Sequence, residues 1–254
     1  MRVWAIAVNT FREAARDRIL YSILAFAILL IGASVILAGL SIGQESKIVK
    51  DLGLAASSLF GAFIAIFLGI GLVFKEIERR TVYVIISKPI HRVQFLFGKY
   101  IGLVLTLLVT VGVMALLVVS LAWLVDGHWS PGLLLAAGFD FLALMIVTAV
   151  ALLFSTFSTP TLSAIFTLGV FVIGRLSGDV RLFAEQFAGP GVGQAVFAIY
   201  LVIPDLARFQ IGSQVIHGLP LAPADLGQSA AYGVGYILML LLLAVAIFQR
   251  RDFK

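Results

Sequence analysis

The 254-residue sequence contains no cysteine and few charged residues, which make up 12% of the chain. The absence of cysteine excludes disulfides and thiolate metal ligands. Soluble domains are about 45–50% apolar and about 25% charged, whereas 61% of this chain is hydrophobic. The composition therefore fits a polytopic membrane protein better than a soluble enzyme, a nucleic-acid-binding domain or a disordered tail.

Motifs for catalysis and nucleotide binding are also scarce. The sequence has no GxxxxGK[ST] phosphate-binding loop, no HExxH and no acid–histidine cluster at metal-ligand spacing. The segment Gly39–Gly43 matches the GxSxG pattern of serine hydrolases, but it lies at the end of a predicted transmembrane helix, far from a strand-to-helix turn. We therefore expect this chain to have no catalytic residue and to bind no metal and no cofactor.

Long uncharged runs are what the sequence does contain, and a transmembrane helix needs about 20 such residues. They predict an all-α polytopic membrane protein with one transmembrane domain, residues 1–254. The six predicted transmembrane helices are 19–40, 52–74, 100–125, 132–154, 161–176 and 229–248. The apolar run 195–204 is too short to cross, so it predicts a re-entrant or interfacial helix within an external segment, 177–228.

The lysines and arginines indicate the orientation of the chain. Of the 18, 13 fall in residues 1–18, in residues 75–99 and in the C-terminal tail, which the six-helix arrangement places on one side. The positive-inside rule puts that side, and with it both termini, in the cytoplasm.

Residues 1–18 have the pattern of an amphipathic helix, because apolar residues recur every three or four positions with polar residues between them. Trp4 and Phe11 belong to the apolar set, and Arg12 and Arg16 to the polar one. The pattern predicts an elbow helix lying in the membrane interface. The alternative is a cytoplasmic extension of the first transmembrane helix. The basic residues follow the apolar ones, unlike those of a signal peptide.

Asp140 is the one acidic residue well inside a predicted transmembrane helix. A carboxylate there costs at least about 2.5–3.5 kcal/mol to insert, so it should face a partner or a wet cavity. A role in lining a transport pathway and a role in an interhelical hydrogen bond are equally open. No cationic partner is expected, since Arg175 lies at the far end of its own helix. A single acid also argues against a secondary transporter driven by protons or ions.

Two glycine pairs with GxxxG spacing, Gly98 with Gly102 and Gly174 with Gly178, would permit close helix packing. In a chain with 24 glycines such pairs arise readily by chance, so the spacing is a weak indication.

The segment 75–99 is the most charged part of the chain, with six basic residues and two glutamates. An apolar run, 82–86, separates its charged parts. This amphipathic order predicts a short helix on the cytoplasmic membrane surface, and the alternative is a solvated loop. The charged residues that the helix would offer to a cytoplasmic partner are Glu76, Glu78, Arg79 and Arg80.

The same segment carries a series of motif residues: Glu78, Thr81, Ser87, Lys88, Pro89, Arg92, Gly98 and Lys99. The series resembles the signature of the permease subunits of ABC-2 type transporters, with Arg80 where that family usually has glycine. The layout of elbow, six helices and external segment is similar over essentially the whole chain. In size and in its external segment Ile203–Phe209, the chain resembles the compact, NosY-like permeases.

This resemblance implies a multi-pass protein of the bacterial cytoplasmic (inner) membrane, surrounded by lipid, that contacts no nucleic acid. It implies a second permease copy, most simply in a homodimer, and two copies of a separate ABC ATPase subunit that binds ATP and Mg. The substrate exported or extracted would be a lipid, a lipid-linked molecule or an apolar compound. The residues that would contact the ATPase are Glu76, Glu78, Arg79, Arg80, Thr81, Pro89 and Arg92.

Two other functions compete with transport by a permease. One is a membrane scaffold or mechanotransmission subunit that relays ATPase motion to an extracytoplasmic partner docked on segment 177–228, without moving a substrate. The other is a channel, which the scarcity of polar residues in the predicted transmembrane helices disfavours.

Overall fold

The computed structural model describes residues 2–41, 43–78, 92–178 and 203–250. Within these ranges the chain is helical and contains no strand. The described α-helices are α1 (Arg2–Ala14), α2 (Arg18–Ala38), α3 (Glu45–Glu78), α4 (Arg92–Asp126), α5 (Pro131–Ser155), α6 (Pro160–Arg175), α7 (Gly212–Ile216) and α8 (Pro223–Arg250). One 3-10 turn, Ala207–Phe209, precedes α7.

Five of these helices, α2, α3, α4, α5 and α8, are long and apolar enough to cross a membrane by length and composition. The apolar helix α6 has 16 residues, which is shorter than a typical membrane-crossing helix. The prediction of an all-helical, polytopic membrane protein is confirmed on the described residues. The number of crossings stays a prediction, because it depends on whether α6 spans the membrane.

Three helices begin well before the apolar runs that predicted them. Helix α3 starts at Glu45, α4 at Arg92 and α8 at Pro223, each six to eight residues ahead of the predicted transmembrane helix. The difference has a simple cause: hydropathy marks the part of a helix that is apolar, whereas backbone hydrogen bonding continues through polar turns beyond it. Proline suits the first position of α8 because the first amides of a helix have no partner inside it.

Helices α1 and α2 are separate elements. Helix α1 ends at Ala14, and Asp17 caps the start of α2 by accepting a hydrogen bond from the backbone amide of Ile19 at 3.0 Å. Residues 2–14 are therefore not one continuous helix with α2. The interfacial position of α1 stays a prediction.

Helix α3 lies at the centre of the fold. It packs against α2, α4, α5 and α6, and 72% of its apolar stretch is buried, compared with 22% for α2. Small residues along α3 let its neighbours approach closely: a Cβ added at Gly61 would lie 2.5 Å from a methyl of Leu144 on α5. Helix α3 therefore forms much of the core of the described structure.

Several predicted features lie outside the described residues. Arg79, Arg80, Thr81 and Pro89 belong to this group, as does most of the apolar run 195–204. Helix α3 continues into the predicted coupling segment 75–99 as far as Glu78, and α4 begins within that segment at Arg92.

Candidate functional site

Helix α1 lies against the first turns of α4, the helix that emerges from the segment 75–99. The contact is close because two glycines face α1. A Cβ added at Gly98 would lie 2.7 Å from the Cβ of Ile6, and one at Gly102 would lie 2.6 Å from the carbonyl oxygen of Ala7. Since real Cβ atoms do not approach so closely, only glycine fits at either position. The close packing predicted for this glycine pair is confirmed, and its partner is α1.

A buried ion pair joins the same two helices. Lys99, between the two glycines, has a side chain that is only 1% exposed, and its Nζ lies 3.6 Å from Oε2 of Glu13 on α1. The Glu13 side chain is 37% exposed, so the pair sits at the edge of the packed interface. An ammonium group is costly to bury unless a charge or hydrogen bond compensates it, and Glu13 supplies that charge. The glycines and the ion pair together form what we term the α1–α4 clamp: Gly98, Gly102, Lys99 and Glu13.

The predicted elbow residues lie away from this clamp. Trp4 is 61% exposed, Phe11 is half-buried, and Arg12 and Arg16 are exposed. The face of α1 that packs on the protein carries small residues instead: Ala7, Thr10 and Ala14. The spacing of Ala7, Thr10 and Ala14 by three and four residues indicates this face in the sequence. A pattern read mainly from bulky apolar residues does not reveal it. Helix α1 thus places its small residues against α4 and leaves Trp4 on the outer face.

A second buried ion pair lies among the long helices. The Nη1 of Arg175 on α6 donates to Oδ1 of Asp140 on α5 at 2.9 Å. The expectation that Asp140 has no cationic partner is wrong. Asp140 lies fifteen residues before α5 ends at Ser155, and Arg175 lies fifteen residues after α6 begins at Pro160, so the antiparallel pair brings them level.

A small cavity of about 260 Å³ adjoins this pair between α3 and α6. Its lining is mainly apolar, with one hydroxyl and one guanidinium group. The lining residues are Ala55, Ser58, Leu59, Phe171, Val172, Arg175 and Leu176. Drug-sized ligands occupy pockets of about 300–1,000 Å³, so the cavity is smaller than an ordinary ligand site. The Asp140–Arg175 pair joins α5 to α6 beside it.

The segment before α7 is anchored by hydrogen bonds that converge on Asp205. Its carboxylate accepts from the Ser177 hydroxyl at 2.6 Å and from Arg208 Nε at 2.9 Å, and its backbone amide donates to the Tyr232 hydroxyl at 3.0 Å. The Arg208 guanidinium also lies over the Tyr232 ring, 5.1 Å from its centroid. These contacts tie residues 203–211 to Ser177, just beyond the end of α6, and to Tyr232 within α8.

Of the second glycine pair, Gly174 and Gly178, only Gly174 makes a close contact with the anchored segment 203–211. A Cβ at Gly174 would lie 2.6 Å from the carbonyl oxygen of Pro204, whereas one at Gly178 would make an ordinary contact with Ala207 at 3.8 Å. The close approach predicted here is therefore present at Gly174, and its partner is a loop instead of a helix.

The described part of the chain thus combines long apolar helices, a clamped amphipathic first helix and few buried charges, the features of a polytopic membrane protein. The sequence profile described as "ABC-2 family transporter protein" matches residues 4–253, almost the whole chain. This chain belongs to the ABC-2 transporter family. No curated protein matches it. Family membership makes it a membrane subunit that is not itself the ATPase, and it implies an ABC ATPase as partner.

Proposed function

We propose that this chain is the permease subunit that couples ATP hydrolysis by a separate ATPase chain to the export or extraction of a lipid, a lipid-linked molecule or an apolar compound. The observation that carries the proposal is the family match over residues 4–253. The fold supports it, because segment 75–99 connects the central helix α3 to the clamped helix α4. Movement of that segment would act on both helices at once.

In this proposal the ATPase docks on the predicted coupling segment. The contacting residues are Glu76, Glu78, Arg79, Arg80, Thr81, Pro89 and Arg92. Acidic and basic residues are mixed there. Mixed charge suits a segment that docks on a protein, whereas segments that bind anionic lipids are purely basic. The elbow helix α1, with Trp4 and Phe11 toward lipid and Arg12 and Arg16 toward the cytoplasm, lies beside the docked ATPase. ATP and Mg bind in the ATPase chain.

The proposed assembly contains two permeases and two ATPases, with the permeases forming a homodimer of the compact, NosY-like kind in the bacterial inner membrane. Helix α6 serves as the sixth transmembrane helix, which places both termini in the cytoplasm. The exposed faces of α2 and α8 support this arrangement, since only 22% and 33% of their apolar stretches are buried within one chain. Lipid and the second copy would cover those faces.

The nature of the substrate follows from the scarcity of buried charge. Asp140, the acidic residue in the middle of α5, is neutralised by Arg175 at 2.9 Å. A path bordered by apolar side chains and one closed ion pair suits an apolar or amphiphilic molecule better than a hydrated ion. The pairing also favours the interhelical role of Asp140 over a role in lining the pathway.

A second candidate function, relay of ATPase motion to an extracytoplasmic partner on segment 177–228, is favoured by one observation. Residues 203–211 are tied to α6 and α8 through Asp205, Ser177 and Tyr232. A segment anchored in this way would follow the helices and could pass their movement to a protein bound outside the membrane.

Co-purification with the ATPase tests the proposed function. The charge exchange Glu78→Lys with Arg79→Glu keeps the net charge and should abolish association with the co-expressed ABC ATPase partner. The matched control exchanges two exposed residues at the opposite end of α3, Lys47→Glu with Asp51→Lys, and should leave association intact. An ATPase retained at the wild-type ratio by the first variant would contradict the docking assignment.

A further inference from the structure

Lys99 stands out among the buried side chains of this protein. It is among the largest of the almost fully buried side chains in the described residues, and it is charged. A buried ion pair contributes little net stability compared with apolar residues of similar volume, because desolvation offsets most of the attraction. Methionine would fill this space without that cost. Burial alone therefore does not explain a lysine at this position.

What the ion pair does add is a fixed geometry between α1 and α4. The glycines of the clamp hold the helix backbones in contact at two levels one turn apart, at Gly98 and at Gly102. Contact of this kind restricts how far α1 and α4 can separate. The Glu13–Lys99 pair, at 3.6 Å, adds resistance to sliding of α1 along α4, because the attraction between the two charges weakens as they move apart.

We propose that Glu13 and Lys99 are positioning residues that lock α1 to the base of α4, so that the two helices move as one rigid body during the ATPase cycle. The inference rests on the proposed function, since it assigns α1 a part in transmitting ATPase motion. Lys99 lies seven residues after the start of α4 at Arg92. Movement delivered to the start of α4 by the coupling segment would therefore act on α1 through this pair.

The first test compares Lys99→Met with a matched control in complexes reconstituted in lipid nanodiscs. The readout is the ratio of the ATP hydrolysis rate of the complex to that of the isolated ATPase. In Lys99→Met the ratio should fall to about one while the ATPase still co-purifies. The control, Lys50→Met, breaks the Lys50–Asp126 pair at the opposite end of α4 and should keep the wild-type ratio.

The second test replaces the ion pair with a removable covalent link. Because the chain has no cysteine, Glu13→Cys with Lys99→Cys introduces a unique thiol pair that a bifunctional methanethiosulfonate can bridge. The reduced double variant should be uncoupled, the bridged protein should regain the wild-type ratio, and a reducing agent should reverse the gain. If Lys99 only filled space in the local packing, the bridge would not restore the ratio of hydrolysis rates. If Lys99→Met is not recovered as folded protein, the comparison of the reduced with the bridged double-cysteine variant tests the inference on its own.

The outcomes separate this inference from the function on which it rests. A wild-type ratio of one would overturn the proposed coupling and the inference with it. A wild-type ratio above one that Lys99→Met retains, or a bridged protein that stays uncoupled, would overturn the inference alone.

Discussion

Arg175 and Asp140 meet at 2.9 Å and join two consecutive helices, α5 and α6, at the same depth. Both side chains are largely buried, being 21% and 12% exposed. The pair neutralises two charges that would each be costly alone inside the membrane. It also fixes the end of α6 against α5 close to Ser177, which donates a hydrogen bond to Asp205 of the anchored segment 203–211.

Removal of the cation from this pair should destabilise the protein strongly. Arg175→Met leaves the Asp140 carboxylate buried without its counter-charge, and breaking a buried pair in this way costs about 3–5 kcal/mol. Adding Asp140→Asn should recover most of that loss, because no buried charge then remains. Unfolding of the single and double variants in detergent measures the effect. Equal stability of Arg175→Met and the wild type would contradict a structural role for the pair.

Alanine in place of the clamp residue Gly102 should destabilise the protein, whereas alanine in place of Gly112, farther along α4, should not. In Gly102→Ala the new methyl meets the Ala7 carbonyl oxygen and the Thr10 side chain, both at 2.6 Å, and overpacking of this kind costs about 1–3 kcal/mol. In Gly112→Ala the methyl meets nothing within 4 Å, and alanine favours the helix by up to about 1 kcal/mol.

Thermal unfolding of the two alanine variants, with limited proteolysis of α1, provides the comparison. Gly102→Ala should unfold at a lower temperature and release α1 to protease, while Gly112→Ala should unfold at or above the wild-type temperature. Two variants that behave alike would argue against a close α1–α4 contact.

Single cysteines at three exposed sites should establish the course of α6 through the membrane. Trp129 lies between α4 and α5, Thr159 between α5 and α6, and Leu219 between α7 and α8. If α6 crosses, a membrane-impermeant maleimide applied to intact cells should label Trp129→Cys and Leu219→Cys. Thr159→Cys should react only after permeabilisation. Labelling of Thr159 and Leu219 from the same side would rule out α6 as a transmembrane helix.

Much of the helical layout could be predicted from hydropathy alone, because a long uncharged run has few alternatives to a membrane-embedded helix. The Asp140–Arg175 pair was also within reach of the sequence. Two consecutive antiparallel helices with a short turn bring residues equidistant from that turn to one level, and these two are equidistant from it. The prediction that Asp140 has no cationic partner took into account only that Arg175 lies at the end of its own helix. It did not compare the level of Arg175 with that of Asp140 on the neighbouring helix.

The α1–α4 clamp was harder to predict for physical reasons. Hydropathy treats a lysine as solvent-exposed, so nothing along the chain marks Lys99 as buried. Its partner Glu13 is distant in sequence, and only packing around Gly98 and Gly102 brings the two side chains together. The bulky residues of α1 drew attention to Trp4, whereas the contact is made by Ala7 and Thr10.

The coupling of this chain to its ATPase is tested most directly by the rate of ATP hydrolysis in lipid nanodiscs. The rate is measured at equal ATPase concentration for the isolated ATPase, for the wild-type complex and for the variant with Glu78→Lys and Arg79→Glu. We predict a higher rate for the wild-type complex; for the variant, whose nanodiscs are mixed with the ATPase because the two should not associate, we predict the isolated-ATPase rate. Equal rates with and without the wild-type chain would contradict its role as the coupled permease.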